Sequence, residues 1–265
     1  MRRDWFDDND YIAGDSASSA ATTWRTGAIY KPRRDVSLYV SWSQAFEPQD
    51  VSDQSPLAGG PFAAETGNQI EAGIKTDLLN GRIQTTLAAY RIVRRNVLQI
   101  DDSQDAVNGV DQLAPIGEVT SKGVEATVTA DVTRDWVVSL NYAYNDTRIT
   151  GTAEGQSIDN SVGDRFPNTP HHQAGFWTRY QVQAIETAFA FGGQYVSDQI
   201  DRSGDRLKPF TVFDATISHD FGFAEVKFRI ENIFDKYYAV SGFTGAKGAY
   251  LGNARSWFVE LRRRF

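Results

Sequence analysis

The sequence predicts an all-β fold, an antiparallel transmembrane β-barrel of about eleven strands. Three observations predict it. Apolar and polar side chains alternate with a period of two through nearly the whole chain, which is typical of strands with one apolar face. The predicted strands have about ten residues, the length that crosses a bilayer at a tilt. Short and long connections alternate along the chain, as they do in membrane barrels.

The strands follow one another as antiparallel pairs. In the second strand, Val36, Leu38 and Val40 share one face while serines and Tyr39 occupy the other. The clearest pair alternates Val124, Ala126 and Val128 with polar residues, and returns through Trp136 and Leu140. Residues 1–20 are acidic and rich in Ser and Ala, so we expect a loop there. The predicted strands are 23–31, 35–44, 68–78, 82–93, 123–130, 136–145, 171–180, 185–196, 210–219, 224–231 and 254–265.

Connections of two lengths separate these strands. Asn80-Gly81 predicts a tight turn, because both residues tolerate positive φ. Thr133, Arg134 and Asp135 predict another short turn. The long connections are rich in Gly, Asp and Pro, and we place them at about residues 45–67, 95–117, 147–168, 197–207 and 235–252.

One face of each strand is predicted to meet lipid and the other a wet lumen. We expect mid-strand apolar residues to face lipid, and Thr127 and Asn141 to face the lumen. The lipid-facing residues predicted in this way are Val128, Leu140, Phe189, Ile217 and Val226.

Composition limits the function classes. The chain has no Cys, which excludes disulfides and thiolate metal sites. Its net charge of −7 argues against a nucleic-acid partner. No Ser/His/Asp set, catalytic carboxylate pair or phosphate-binding loop stands out, so we expect neither an enzyme nor a bound cofactor. No apolar run is long enough for a transmembrane helix.

The first residues do not look like an export signal. Met1, Arg2 and Arg3 are basic, but Asp4 and Asp7 stand where a signal peptide has its apolar region. Because an outer-membrane protein must be exported, either the chain is not one or it is a piece of a longer precursor.

Several short runs resemble the C-terminal half of TonB-dependent siderophore receptors. The strongest is the Asn-Ile-Phe-Asp-Lys-Tyr-Tyr run at residues 232–238, about thirty residues before the terminal Phe265. Their order and spacing over residues 24–265 add to the resemblance. The other runs are 41–48, 65–77, 121–125, 168–172 and the terminal strand.

The resemblance implies that the chain is half of a 22-stranded plugged barrel. Residues 1–22 would be the remnant of an extracellular loop, residues 23–265 the C-terminal part of the barrel, and the plug would be absent. The location would be the outer membrane of a Gram-negative bacterium. Implied partners are a ferric siderophore as transported ligand, the TonB-ExbB-ExbD system acting through the plug, outer-membrane lipid and lipopolysaccharide. Phe265 would be the signal read by the barrel assembly machinery, although Arg263 stands where the family usually has an aromatic residue.

A ferric siderophore, often anionic and partly aromatic, needs aromatic walls and cations on the extracellular side. Such residues occur in the long loops and at the adjoining strand ends. For any single one of them, packing of the loops remains the alternative. The candidates are Phe46, Phe62, Arg165, Phe166, Arg202, Arg206, Phe243, Lys247 and Tyr250.

Other polar groups are interpreted as structural. Alternation sends His171 and His172 to opposite faces, which disfavours a shared metal. Solvated loops are favoured over Ca²⁺ sites for the loop aspartates, since their spacing is not that of an EF-hand. Charges along residues 225–231 indicate salt bridges on the lumen wall. The aspartates concerned are Asp101, Asp102, Asp105, Asp198, Asp201 and Asp205.

Two other functions remain open at this stage. A passive outer-membrane barrel such as a porin has the same strand pattern. A soluble β-rich binding module also alternates apolar and polar residues, with its apolar face in a core. Strand length and the alternation of loop lengths favour the barrel, and the resemblance favours the transport receptor.

Overall fold

The computed structural model describes residues 1–10, 15–101, 106–151, 162–242 and 248–263, and its regular structure is almost entirely β. Short 3₁₀ turns occur at Val51–Gln54, Pro56–Ala58 and Gln183–Ile185. The strands are β1 (Arg2–Asp10), β2 (Asp15–Thr23), β3 (Arg25–Arg33), β4 (Val36–Glu47), β5 (Glu65–Leu78), β6 (Ile83–Ile100), β7 (Leu113–Asp131), β8 (Trp136–Gly151), β9 (His172–Val182), β10 (Thr187–Val196), β11 (Gln199–Ile200), β12 (Arg206–Leu207), β13 (Phe210–Asp220), β14 (Ala224–Glu231), β15 (Ala239–Gly242), β16 (Ala249–Leu251) and β17 (Ser256–Arg263).

Eleven of these strands form one antiparallel sheet, which confirms the predicted fold class and strand number. Its order is β17-β14-β13-β10-β9-β8-β7-β6-β5-β4-β3. The sheet is open, so β3 and β17 each have one edge without a partner strand in the described structure. None of the described helices is long and apolar enough to cross a membrane.

The short turns all lie at one end of the sheet. Residues at positive φ make these turns possible, for example Asn80 at 58° and Gly81 at 89°. Every long connection lies at the opposite end, because the strands alternate in direction. In a bacterial membrane barrel, short turns face the periplasm and long loops face the outside.

Strand register separates an apolar face from a polar one. Val128 pairs with Leu140, which pairs with Phe176, so the three side chains lie on the same face of the sheet. Thr127 pairs with Asn141 on the other face. All five residues predicted to meet lipid share the apolar face, and we call it the outer face. The polar face is the lumen face.

Aromatic side chains on the lumen face cover glycines of neighbouring strands. A Cβ on Gly123 would lie 2.5 Å from Tyr90 Oη, and one on Gly73 would lie 2.7 Å from the Tyr39 ring. Both contacts are too short for any real side chain. The glycines therefore let tyrosines lie flat along the wall, an arrangement that fixes strand register.

The N-terminal segment differs from the sequence expectation. The loop expected at residues 1–20 is a hairpin in which β1 and β2 pair from Arg2 and Thr23 to Asp10 and Asp15. After Trp24, the chain continues directly into β3. Alternation is weak in this Ser- and Ala-rich segment, so the period-two pattern did not indicate the hairpin.

Several strands are also longer than predicted. β6 has 18 residues and β7 has 19, so both ends of the loop expected at 95–117 are paired sheet. Beyond the apolar stripe neither face of these strands meets lipid, so apolar and polar residues no longer alternate and the strand ends could not be predicted. Two other expected loops contain the small hairpins β11-β12 and β15-β16.

Little of the molecule is a conventional core. One buried cluster consists of Val97, Ile116, Val119 and Ile149 at the loop end of β6–β8. A second consists of Val196, Phe210 and Val212, with Tyr238 packed against it. Both clusters support the long connections, whereas the mid-strand apolar residues are largely exposed on the outer face.

The terminal strand confirms the predicted alternation. Trp257, Val259 and Leu261 pair with outer-face residues of β14 and therefore lie on the outer face. Arg263 pairs with Ala224 at the short-turn end. Phe265, the predicted assembly signal, lies outside the described residues.

Candidate ligand-binding loops

The long connections form two groups at the loop end of the sheet. One joins the β1-β2 hairpin to the connection between β4 and β5. The other joins the connections that follow β8, β10 and β14. Phe62 lies in the first group, and Arg165, Phe166 and Arg206 lie in the second.

The first group lines a partly open cavity of about 300 Å³. Phe6 of β1 and Phe62 of the 48–64 connection are its aromatic walls, and Gln49, Gln54 and Ser18 add polar groups. Phe62 therefore lines this cavity, and its contact with a ligand stays a prediction. Phe6 was not predicted as a site residue, because the segment that contains it was expected to be a loop.

Amide side chains hold the 48–64 connection in place. Gln54 accepts a hydrogen bond from the Phe62 N–H at 2.8 Å and donates to the Phe62 carbonyl at 3.2 Å. Gln49 donates to the Asn96 carbonyl at 2.8 Å, which ties the connection to β6. At its start, the Ser52 N–H donates to Asp50 and lowers the pKa of that carboxyl. These bonds fix the cavity wall.

In the second group, one carboxylate holds two predicted cations. Asp198 Oδ2 lies 3.3 Å from Arg206 Nε and 3.6 Å from Arg165 Nη1. Arg165 also donates to the Thr169 carbonyl at 2.8 Å and the Asp198 carbonyl at 2.7 Å. Only 15% of its side chain is exposed, whereas 69% of Arg206 is. Arg165 therefore organises the loops, and Arg206 is the cation that solvent reaches.

The two arginines also set the ionisation of Asp198. Desolvation by burial would raise the pKa of this carboxyl, but the charge of Arg206, its hydrogen bond and the charge of Arg165 outweigh it and lower the pKa. The carboxylate therefore stays ionised and keeps the two connections together at neutral pH.

Phe166 lies in the same group but packs inward. It contacts the buried cluster of Val97, Ile116, Val119 and Ile149. Its backbone N–H donates to the Thr147 carbonyl at 2.9 Å, which fixes the connection on β8. Phe166 thus packs the loops together, and its contact with a ligand stays a prediction.

Asn168 joins three connections and was not predicted as a site residue. Its side chain exchanges two hydrogen bonds with the backbone of Gly242, at 3.0 and 2.8 Å. Its backbone N–H donates to the Ile200 carbonyl at 2.8 Å. Its φ is 56°, a conformation that Asn adopts more readily than most residues. The run at 168–172 contributed to the family resemblance, but the sequence did not show that Asn168 joins these connections.

Asn232 has the same function in the 232–238 run. It is 4% exposed. Its side chain donates to the carbonyls of Lys236 and Asn253, both at 2.9 Å, and accepts from the Lys236 N–H at 2.8 Å. The side chain closes the connection between β14 and β17. The run that carried the family resemblance is therefore a loop closure.

The remaining ligand candidates are dispersed. Phe46 pairs with Thr66 and shares the outer face with Trp42, away from the lumen. Arg202 is exposed in the turn between β11 and β12, and Tyr250 is 59% exposed on β16. Phe243 and Lys247 lie outside the described residues.

The candidate metal ligands serve other purposes where they are described. Asp201 caps its own turn by accepting from the N–H groups of Ser203 and Asp205 at 2.8 and 2.9 Å. Within the described ranges no three His, Asp or Glu side chains gather in a metal-binding arrangement. Asp102 and Asp105 lie outside those ranges. His171 and His172 both hydrogen-bond to β8, through the Asn145 carbonyl and the Tyr142 hydroxyl.

Charges on the lumen face of β14 are partly paired, as predicted. Lys227 lies 3.6 Å from Glu260, and Arg229 lies 3.4 Å from Glu231. These exposed pairs contribute little to stability, but they make the inner wall polar. The polar lumen face and the apolar outer face are those of a membrane-barrel wall. The candidate site lies at the loop end of that wall.

Comparisons with known proteins agree with this architecture. A family model described as "TonB dependent receptor-like, beta-barrel" matches residues 1–233. The metal-pseudopaline receptor CntO of Pseudomonas aeruginosa is 30% identical over 226 residues, which is 82% of this chain and 30% of that protein. The ferrichrome outer membrane transporter/phage receptor of Escherichia coli K12 is 28% identical over 280 residues, 100% of this chain and 35% of that protein.

Solved structures show the same fold. The siderophore receptor PiuA of Acinetobacter baumannii superposes with a TM-score of 0.77 at 22% identity, over 95% of this chain and 37% of that one. The chain thus spans about a third of the length of these relatives. The open sheet, its two faces and the family match lead to one assignment: this chain belongs to the TonB-dependent receptor family and forms part of the outer-membrane β-barrel.

Proposed function

We propose that the receptor to which this chain contributes takes up a ferric siderophore across the outer membrane with energy delivered through TonB. The family match over residues 1–233 carries the proposal. Relatives named as receptors for metal-pseudopaline and ferrichrome support it, since both names describe chelated metal.

The chemistry of the loops supports a chelate rather than a free ion. Arg202 and Arg206 are exposed cations, and Phe62, Phe6 and Tyr250 are aromatic surfaces at the same end. Cation contacts and stacking suit an anionic, partly aromatic ligand. Nearby aspartates weaken long-range attraction of an anion, so affinity arises from contacts and depends only mildly on salt.

The proposal assigns this chain the C-terminal part of a larger barrel, with residues 23–265 as wall and residues 1–22 as part of an extracellular loop. A plug and its contact with TonB-ExbB-ExbD would lie in sequence that this chain does not contain. Phe265 would be read by the barrel assembly machinery, and lipid and lipopolysaccharide would surround the outer face.

Uptake measurements test the function. A receptor-deficient strain carrying the full-length gene is supplied with a panel of radiolabelled ferric siderophores, with and without TonB. We expect one siderophore class to accumulate only when TonB is present. TonB-independent accumulation would indicate a passive, porin-like barrel. Uptake of cobalamin or an oligosaccharide without any ferric chelate would place the protein in another branch of the family.

Binding data separate the loops' contribution. In the full-length receptor, Arg206→Ala is expected to weaken binding of the transported chelate because a solvent-exposed cation is lost. Tyr180→Phe on the outer face is the control and is expected to leave affinity unchanged.

A further inference from the structure

The cavity between the β1-β2 hairpin and the 48–64 connection has an uncharged wall. Its volume is about 300 Å³, and aromatic, aliphatic and neutral polar side chains line it. No charged side chain of the described residues belongs to this wall, and Asp50 and Asp53 of the same connection lie outside it. Burial of a charge without a partner is costly. The cavity therefore favours a neutral occupant.

Ser19 places a hydroxyl without a hydrogen bond in this wall. Its Oγ is buried, and it makes no hydrogen bond with any residue that the structure describes. Strand register sets Ser19 directly opposite Phe6, so the hydroxyl and the ring are neighbours on one face of the hairpin. A buried hydroxyl without a partner is unfavourable. A ligand group that hydrogen-bonds to Ser19 would supply the missing partner.

The amide side chains of the 48–64 connection leave one further acceptor. Gln54 uses both ends of its amide on the backbone of Phe62. Gln49 donates from Nε2 to the carbonyls of Ala63 and Asn96, at 3.2 and 2.8 Å. Both partners are acceptors, so the amide nitrogen must face them, and Gln49 Oε1 accepts no hydrogen bond within the described ranges. The wall thus offers one free hydroxyl and one free carbonyl oxygen.

The aromatic walls and the size of the cavity suit one ring. Phe6 and Phe62 present ring surfaces on which another ring can stack. A cavity of about 150 Å³ is enough for benzene, so a substituted ring fits here. Pockets that hold whole drug-sized ligands have volumes of about 300–1,000 Å³, so this cavity suits one arm of a larger ligand.

We propose that this cavity binds a neutral aromatic ring that carries a free hydroxyl, which is a phenol. The ring packs against Phe6 and Phe62, and its hydroxyl accepts from Ser19 and donates to Gln49 Oε1. A phenol oxygen that coordinates Fe³⁺ has lost its proton and cannot donate. The ring is therefore a peripheral arm that does not bind the metal. Its attachment to the transported chelate rests on the proposed function, whereas recognition of the ring does not.

Binding of water-soluble aromatic probes to the full-length receptor in nanodiscs tests this chemistry. N-acetyltyrosinamide is compared by saturation-transfer NMR with N-acetylphenylalaninamide, which lacks only the hydroxyl, and with the anion 4-hydroxyphenylacetate. We expect the tyrosine amide to bind most tightly, with a loss of about 2- to 12-fold when the hydroxyl is removed. Equal affinities for the two amides, no saturable binding of either, or tighter binding of the anion would overturn the proposal.

Ser19→Ala tests the hydrogen bond itself. This variant should weaken binding of the tyrosine amide by about 2- to 12-fold and leave the phenylalanine amide unchanged. Ser19 has no hydrogen bond to lose in the described structure, so the variant should fold as the parent does. Phe6→Leu should weaken both amides alike, because both lose a stacking partner. An equal loss of both amides in Ser19→Ala would contradict the assigned contact.

Thr22→Ala is the matched control for Ser19→Ala. Thr22 lies on the same strand but on the other face of the hairpin, where its side chain is exposed and does not line the cavity. Removal of this hydroxyl should leave the affinity for both amides unchanged. A loss equal to that of Ser19→Ala would show that the effect does not come from the cavity.

Competition identifies the molecule that carries the ring. Each ferric chelate of the uptake panel is added to the receptor loaded with N-acetyltyrosinamide. We expect the transported chelate to displace the amide and to bind Ser19→Ala about 2- to 12-fold more weakly. Simultaneous binding of chelate and amide would overturn the assignment of the ring to the chelate. Ser19-dependent amide binding in a receptor that takes up no ferric chelate would refute the proposed transport and support the cavity's role.

Discussion

Single asparagines hold the loop end together. Asn168 and Asn232 both adopt positive φ and bond to the backbone of distant segments. Each lies in a run that contributed to the family resemblance. Their shape and hydrogen-bonding capacity are required by loop closure, which explains why such runs can be recognised without any contact with a ligand.

Removal of the Asn232 side chain should open the connection between β14 and β17. Asn232→Ala leaves the carbonyls of Lys236 and Asn253 without their buried donors, at a cost of about 1–3 kcal/mol. Trypsin should then cleave near Lys236 about 5- to 150-fold faster in the assembled receptor. Asn253→Ala is the control, since Asn253 is exposed and only its backbone carbonyl takes part. Equal cleavage rates in the two variants would contradict the assigned role.

Asp198 gives the second loop group a defined pH response. The folded-state pKa of this carboxyl is lowered, so its stabilising contribution is present above its ordinary pKa of about 4 and is lost as the pH falls through the lowered value. Hydrogen exchange in residues 197–209 should therefore increase below about pH 4. Asp198→Asn should show the faster exchange already at pH 7 and lose that pH response. If the pH profile of hydrogen exchange is the same in Asp198→Asn as in the parent, the Asp198 carboxylate does not hold Arg165 and Arg206 in place.

Among the strands, the alternation of apolar and polar residues could be predicted from sequence wherever one face of a strand meets lipid and the other meets the lumen. β7 and β8 gave clear stripes because lipid and lumen demand opposite side chains at Val128 and Thr127. The same strands lost the pattern above the membrane, where both faces meet water, and their true ends at Leu113 and Gly151 were missed. The β1-β2 hairpin was missed for the same reason.

Neighbouring residues of β7 test the two faces. Val128→Arg should destabilise the assembled barrel by about 2–4 kcal/mol, because it places a charge in the middle of the apolar band. Thr127→Arg, one residue away on the lumen face, should cost far less. Thermal unfolding in detergent, followed by circular dichroism, measures both. A larger loss in Thr127→Arg would invert the assignment of the faces.

The candidate site was less predictable than the fold. Aromatic and basic residues could be counted in the long loops, but their contacts depend on tertiary structure. Arg165 and Phe166 make loop-packing contacts that the sequence did not show, and Phe6 lines a cavity from a segment that was expected to be a loop. The sequence pattern predicts which face of a strand a residue occupies, but it does not predict which loop that residue contacts.

In the whole molecule, the two open edges of the sheet determine which further strands are needed to close a barrel. The sheet has an odd number of antiparallel strands, so β3 and β17 run in the same direction. Antiparallel closure therefore requires added strands that run the opposite way at both edges. A second copy in the same membrane orientation would offer only parallel partners. Unpaired edges are not tolerated in hydrocarbon.

The chain's ability to close alone tests most directly the claim that it is an open part of a larger barrel. The chain is exported with an added signal peptide, and outer-membrane fractions are compared on gels with and without heating. We predict no compact, heat-modifiable monomer, and recovery of one when the upstream strands of the same gene are coexpressed. A compact heat-modifiable band from the chain alone, with a stable β signal in circular dichroism, would contradict the account.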